Sequence, residues 1–264
     1  MGKDFDLFVF HRDATSDMDC IEAGCRGVVV DLEVKGKHER QASYNTQINQ
    51  HTLEDINNLK AMGINVICRI NAIDPGSANE IDRVIDAGAD EILVPMIRTR
   101  QEIEQVFSQV DGRLAIGLMI ETTEALDLAP VVNNHDVRRV FVGLNDLHIT
   151  QGKPTLFHVL ADGTVDTIRQ QIRHAAFGFG GLTLPGLGHP LPVDYFFHEL
   201  ARLDCQFSFL RRSFFSDSQK VPASKAIPAI QVEMHKTRQR NASQIASDHL
   251  ADQLQLSELV KTLT

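Results

Sequence analysis

An α/β fold, specifically a (β/α)₈ TIM barrel with a C-terminal helical extension, is the fold class this sequence predicts. Eight short apolar runs alternate with helix-compatible stretches through the first four-fifths of the chain, the order expected of a closed barrel. The runs are apolar throughout, without polar alternation, as strands of a parallel sheet covered on both faces require. An open doubly wound sheet would need a Gly-rich phosphate turn after its first strand, and His11-Arg12-Asp13 is not one.

The elements follow in order. Phe5-Asp-Leu-Phe-Val-Phe10 reads as the first strand, residues 16–24 as a short helix closed by Gly24, and Gly27-Val-Val-Val30 as the second strand, ending at Asp31-Leu-Glu33. A long polar connection spans 34–51 and carries Lys35, Lys37, His38, Glu39, Arg40 and Tyr44; connections this long inside a compact domain are usually functional. Thr52-Leu-Glu-Asp55, Ser77-Ala-Asn-Glu80 and Thr99-Arg-Gln-Glu102 each have capping-box order and open the next helices. Between them lie strand three, Asn65-Val-Ile-Cys-Arg-Ile70, and strand four, Glu91-Ile-Leu-Val-Pro95. Leu114-Ala-Ile-Gly-Leu-Met-Ile120 is strand five and stops at Glu121. An amphipathic helix over 122–132 leads to strand six, Arg139-Val-Phe-Val-Gly-Leu144, which stops at Asn145-Asp146. A helix over 162–175, strand seven at Gly180-Gly-Leu-Thr-Leu184, a helix over 192–203 and strand eight at Gln206-Phe-Ser-Phe-Leu210 complete the barrel, which occupies 1–219. Pro222 and Pro228 open a polar tail over 220–264, part of it the eighth helix and part expected to pack on a neighbouring subunit.

Composition narrows the class of function. At 264 residues, 43% of them hydrophobic, the chain suits a large barrel, and no apolar run approaches the ~20 residues of a membrane span. A net charge of −9 argues against a nucleic-acid partner, and the amino-terminal residues lack the order of a secretion signal. Cys20, Cys25, Cys68 and Cys205 form no CxxC pair and read as buried thiols, which fits the cytoplasm.

In a barrel the chemistry sits where strands end. Those positions here include His11, Arg12, Asp31, Glu33, Arg69, Glu121, Asp146, Arg211 and Arg212. Glu121 and Asp146 leave neighbouring parallel strands at one edge, either as helix-capping acids or as half of a site for Mg²⁺ or Mn²⁺, which bind through oxygen. Arg69 needs an anionic partner and is matched best by a bidentate carboxylate, either Asp31 or Glu33 internally or a substrate. With a metal at Glu121 and Asp146, a carboxylate and carbonyl ligand would place its oxygens within reach of Arg69, and the two positive groups together would stabilise an enolate.

Val66-Ile-Cys-Arg-Ile-Asn71, Gly88-Ala-Asp-Glu-Ile-Leu-Val-Pro-Met96, Gly117-Leu-Met-Ile-Glu-Thr122 and Phe141-Val-Gly-Leu-Asn-Asp-Leu147 carry a resemblance. They are similar, in register, to core motifs of the family uniting citrate lyase β-subunits with hydroxy-oxo-acid aldolases, in the phosphoenolpyruvate/pyruvate superfamily. Val30-Asp-Leu-Glu33 resembles the Asp-Leu-Glu of the citrate-lyase-type members. The resemblance implies a divalent-metal-dependent carbon–carbon lyase or aldolase acting on a pyruvate- or oxaloacetate-like 2-oxo acid, or on an acyl-CoA-type substrate. It implies Glu121 and Asp146 as metal ligands, Arg69 at the oxo-acid or its enolate, and backbone N–H groups of Leu144-Asn145-Asp146 at the substrate carboxylate. Asp31 and Glu33 join the substrate site, and the tail together with the resemblance implies a homo-oligomer, a trimer or hexamer. The chain departs from the aldolase branch at Val34, where that branch has a proton-transferring His, and at Met119, where it has Gln. The base is therefore open among His11, Glu33 and His38. A non-catalytic oxo-acid-binding barrel or assembly subunit is the alternative. A barrel phosphodiesterase shares the His-Arg after strand one but needs His-Asp where this chain has Arg69-Ile70.

Overall fold

The structure, a computed structural model, describes residues 5–35, 51–211 and 213–263. Lys37, His38, Glu39, Arg40 and Tyr44 of the polar connection read from the sequence, as well as Arg212, lie outside them. The strands β1 (Asp6–Phe10), β2 (Gly27–Asp31), β3 (Val66–Arg69), β4 (Glu91–Val94), β5 (Ala115–Ile120), β6 (Arg139–Val142), β7 (Ala176–Phe179) and β8 (Phe207–Phe209) close in sequence order into a barrel. Every pairing is parallel, including β8 with β1. Apolar side chains fill the interior, among them Phe8, Ile67, Leu93, Phe141, Phe207 and Phe209, and Phe141 stacks on Phe209 with ring centres 4.3 Å apart. Beneath them Arg139 donates to Glu91 at 2.6 Å and lies over the Phe8 ring. A Cβ at Gly117 would come within 2.6 Å of that Glu91 carboxylate, so glycine makes the room for the pair.

Helices α1 (Ala14–Glu22), α2 (Leu53–Ala61), α3 (Ser77–Asp86) and α4 (Arg100–Val110) follow the first four strands as expected. The helix expected over 122–132 is instead a 3₁₀ turn, Glu124–Leu128, followed by α5 (Ala129–Val132). Pro130 is the reason: without an N–H it belongs in a first helical turn, so the helix restarts there. Strand six stops at Val142, and Leu144-Asn145-Asp146 opens α6 (Leu144–Thr150). Asp146 thus sits in a first helical turn and not on a strand end. The helix expected over 162–175 is the shorter α8 (Thr164–Gln171), and a further helix, α7 (Leu156–Ala161), precedes it; Gly163, whose φ of 79° no helix continues, separates the two. Strand seven is Ala176–Phe179, and the expected Gly180–Leu184 run forms the rim loop after it. Gly181, at φ 133°, breaks the extended backbone there.

After β7 come α9 (Val193–Arg202), and after β8 α10 (Phe214–Asp217), α11 (Ala223–Arg238) and α12 (Ala242–Thr262). The tail expected to begin at 220 therefore starts with α11, which lies against α1 and α9 and completes the outer ring. Helix α12 lies against α7 and α9 with Leu256 buried. It is anchored by His198 to Asp252 at 2.8 Å and by His249 to Glu199 at 2.9 Å. The Asp252 hydrogen bond holds the His198 imidazole above its ordinary value despite burial. The stability from this pair is fully present below the unfolded histidine value of about 6.5 and is lost as pH rises through the raised folded value. Melting temperature should therefore fall from about pH 6 to about pH 8, and His198→Gln should flatten that part of the slope.

Candidate active site

The cavity at the carboxyl rim of the barrel has a volume of about 1240 Å³ and is lined by residues that end β1, β2, β3, β5, β6 and β8. The register of β2 on β3 sets Asp31 directly across from Arg69. Arg69 Nε and Nη2 donate to the two Asp31 oxygens at 2.8 and 2.6 Å, a planar fork on a planar acceptor. Arg69 Nη1 lies 3.5 Å from Glu33 Oε2. Burial alone would disfavour the guanidinium charge, but Asp31 and Glu33 outweigh it and hold Arg69 above its ordinary value.

Glu121 follows β5 and is buried, its Oε1 accepting the Met96 N–H at 2.9 Å. Met96 presents that N–H from a left-handed backbone, φ 55°, that a non-glycine residue rarely takes. Burial pushes the Glu121 carboxyl well above its ordinary range, and the negative charges of Asp146 and Glu33 push it further. Arg69 and the Met96 N–H offset only part of this. Gly143, after β6, leaves space for the carboxylate, since a Cβ there would lie 2.2 Å from Glu121 Oε2. Asp146 is buried in the first turn of α6, with Leu144 buried beside it and Asn145 exposed.

Asp31, Glu33 and Glu121 thus act on one guanidinium, and Asp146 adds its negative charge beside Glu121. Among the described residues no group of three or more His, Cys, Asp or Glu side chains could by itself hold a metal ion. Two carboxylates are a hard-oxygen donor pair of the kind Mg²⁺ and Mn²⁺ accept, with water or substrate oxygens in the remaining positions. The donor set fits such an ion. Gly143→Ala should push the Glu121 carboxylate away and lower Mn²⁺ affinity by about tenfold or more, with far-ultraviolet dichroism unchanged. Calorimetry giving wild-type affinity would remove Glu121 from the ligand set.

His11 also lines the cavity, but its Nδ1 is 2.5 Å from the buried Asp17 and its Nε2 is 3.5 Å from Asp55. The Asp17 hydrogen bond holds His11 above its ordinary value against burial. Arg12 stands over Phe215, and Arg211 is bound to Asp217. Val34 is exposed, its N–H donating to Asn71 Oδ1. Asn71 is in turn held by Glu80, which binds it instead of completing the box expected at Ser77; Ser77 Oγ accepts the Asp74 N–H. Met119 is buried and lines the cavity.

Sequence reasoning passed over His51, Gly143 and Met96. His51 Nδ1 accepts the backbone N–H of Asp31 at 2.9 Å, and its ring meets His11 edge-on with centres 5.0 Å apart. Burial and the charge of His11 hold the His51 imidazole below its ordinary value. A histidine closing a polar loop, just before the Thr52 box, was the available signal.

Fold and site define the class: a (β/α)₈ barrel whose rim cavity holds a guanidinium among buried carboxylates. The sequence model of the HpcH/HpaI aldolase/citrate lyase family matches residues 5–184, and the chain belongs to that family. The family places it among aldolases and carbon–carbon lyases. An HpcH/HpaI aldolase from Desulfitobacterium hafniense DCB-2 superposes with a TM-score of 0.59 at 16% identity, over 83% of this chain and 91% of that one. CitE from Mycobacterium tuberculosis, solved with magnesium and acetate, superposes with a TM-score of 0.56 at 15% identity, over 95% and 97%. A tryptophan synthase α subunit from Legionella pneumophila str. Paris reaches 0.56 at 12% identity, over 89% and 92%, so likeness at this level concerns the fold alone. No curated protein sequence matches the chain. No helix among the described residues is long and apolar enough to cross a membrane.

Proposed function

We propose that this chain is a divalent-metal-dependent carbon–carbon lyase or aldolase. Its substrate is a pyruvate- or oxaloacetate-like 2-oxo acid, or an acyl-CoA-type compound, and the reaction passes through an enolate. The observation that carries this reading is Arg69, held rigid by both oxygens of Asp31 at a rim that also buries Glu121 and Asp146. Glu121 and Asp146 would hold Mg²⁺ or Mn²⁺, which when bound supplies a Lewis-acid charge for the substrate's carbonyl oxygen. Magnesium with acetate, and with pyruvate, in the CitE structures from Mycobacterium tuberculosis supports the same chemistry here.

This chain's residues do the rest. Arg69 stabilises the negative charge on the enolate oxygen with a group that cannot lose its proton. The first N–H groups of α6, at Leu144, Asn145 and Asp146, have no acceptor within the helix and orient the substrate carboxylate. As the carbon–carbon bond breaks, its electron pair stays on the oxo-acid fragment as the enolate, and the hydroxyl proton of the other fragment passes to a base, Glu33 or His11. Protonation at the enolate carbon then releases the oxo acid. We further propose a homo-oligomer, a trimer or hexamer, for which light scattering is the check.

The test is exchange of the pyruvate methyl protons for deuterium. It should require Mg²⁺ or Mn²⁺ and vanish in Asp146→Asn. Absence of metal-stimulated exchange, together with tight oxo-acid binding, would instead identify a non-catalytic binding barrel.

A further inference from the structure

His51 has no part in the reaction as set out above, yet it lines the same cavity as Arg69 and Glu121. Its Nδ1 accepts the N–H of Asp31 at 2.9 Å. A backbone N–H cannot be an acceptor, so Nδ1 must carry its lone pair, and the ring proton of a neutral imidazole is left on Nε2. Protonating the ring would set an Nδ1 hydrogen against that N–H. Among the described residues Nε2 has no hydrogen-bond partner of its own. The charged groups around the ring divide cleanly. His11 meets it edge-on, with Asp17 and Asp55 bound to His11, while Asp31 turns its carboxylate away to Arg69. His51, whose Nδ1 lone pair is held by the Asp31 N–H, therefore stays neutral; its lowered proton affinity agrees.

We propose that His51 is a catalytic residue of this site, a neutral imidazole whose Nε2–H donates a hydrogen bond to the alkoxide and then carbonyl oxygen of the fragment that separates from the enolate. Asp31 links the two oxygen-binding groups, gripping Arg69 through its side chain and His51 through its backbone. One serves the oxo-acid oxygen and the other the oxygen of the second fragment. The ring acts as a donor and not as the base, because its only free nitrogen carries the proton. The proposal rests on the lyase reading above.

Two measurements on the full-length protein with Mg²⁺ test it. In the first, ¹⁵N-histidine spectra, with His51 assigned by its loss in His51→Gln, should show an unprotonated Nδ1 and a protonated Nε2 from about pH 8 to about pH 5.5. Added pyruvate and an aldehyde should shift the Nε2–H signal. A doubly protonated ring at neutral pH, or a proton on Nδ1, would overturn the proposal. In the second, His51→Leu should lower kcat by about 10²-fold, the loss expected of one oxyanion donor, with Mn²⁺ affinity unchanged and a lower melting temperature from the Asp31 N–H it leaves without an acceptor. His51→Gln, whose amide can accept from Asp31 and still donate, should recover activity to within about tenfold of wild type. A Gln variant no better than Leu, or a fully active Leu variant, would also overturn it. If the wild-type protein cleaves no carbon–carbon bond, the lyase reading falls, and the nitrogen shifts with pyruvate and an aldehyde then decide whether the His51 Nε2–H meets a bound carbonyl oxygen.

Discussion

Arg69→Lys is expected to fold, to bind Mn²⁺ as tightly as wild type, and to lose about 10²-fold or more in kcat. Lysine keeps the charge but not the fork. The paired contacts to Asp31 at 2.8 and 2.6 Å become a single one, and the ammonium is free to leave the position that faces the substrate. Some stability goes with it, on the order of 1–2 kcal/mol, or roughly 2–8 °C of melting temperature. If Arg69 served only to neutralise Asp31 and Glu33, that loss of stability would be the whole effect, and kcat per folded molecule would stay near wild type. Melting temperature and the specificity constant on the same preparation separate the two outcomes. A destabilised but fully active variant would remove the enolate role.

Glu121→Gln should abolish Mn²⁺ binding and turnover while raising the melting temperature of the metal-free protein. The sign follows from what surrounds the carboxyl: burial first, then the negative charges of Asp146 and Glu33, all disfavour its ionised form. The amide removes that cost, keeps an oxygen to accept the Met96 N–H, and fits the space left by Gly143. Stability given up for a cation site is the signature expected of a functional acid, whereas a capping acid would lose stability on neutralisation. Calorimetry with Mn²⁺ and a thermal melt in chelator measure both halves. A variant that binds Mn²⁺ as wild type does, or melts well below it, would take Glu121 out of the metal site.

The positions of Arg69 and Glu121 were legible along the chain because each closes a continuously apolar run, and in a parallel barrel the end of such a run can lie only at the rim. The same logic misplaced Asp146 by a few residues. Leu144 is apolar enough to extend a strand, and only the packing of β6 shows that the chain turns at Gly143 and enters a helix. Strand seven slipped for a related reason: Phe177 and Phe179 separated by glycine carry a weaker apolar signal than Leu182 and Leu184, which pack at the rim instead. Pro130 was visible as a breaker, and its local chemistry overrode the helical spacing around it.

What the sequence by itself determined is the barrel, its family and the charged residues at the strand ends, because apolar period, capping order and strand termini are local properties of neighbouring residues. The pairings were decided by tertiary structure alone. Asp31 could meet Arg69 or a substrate until the β2–β3 register set them side by side. His11 looked free until Asp17, six residues on, claimed its Nδ1. His51, twenty residues from Asp31, reaches it only because the chain is back at the rim where α2 begins. Glu121 owes its place to Gly143 on the adjoining strand connection, a residue whose contribution is the atom it lacks. These are contacts between residues far apart in the chain, where hydrogen-bond geometry and excluded volume choose among partners that composition leaves equivalent.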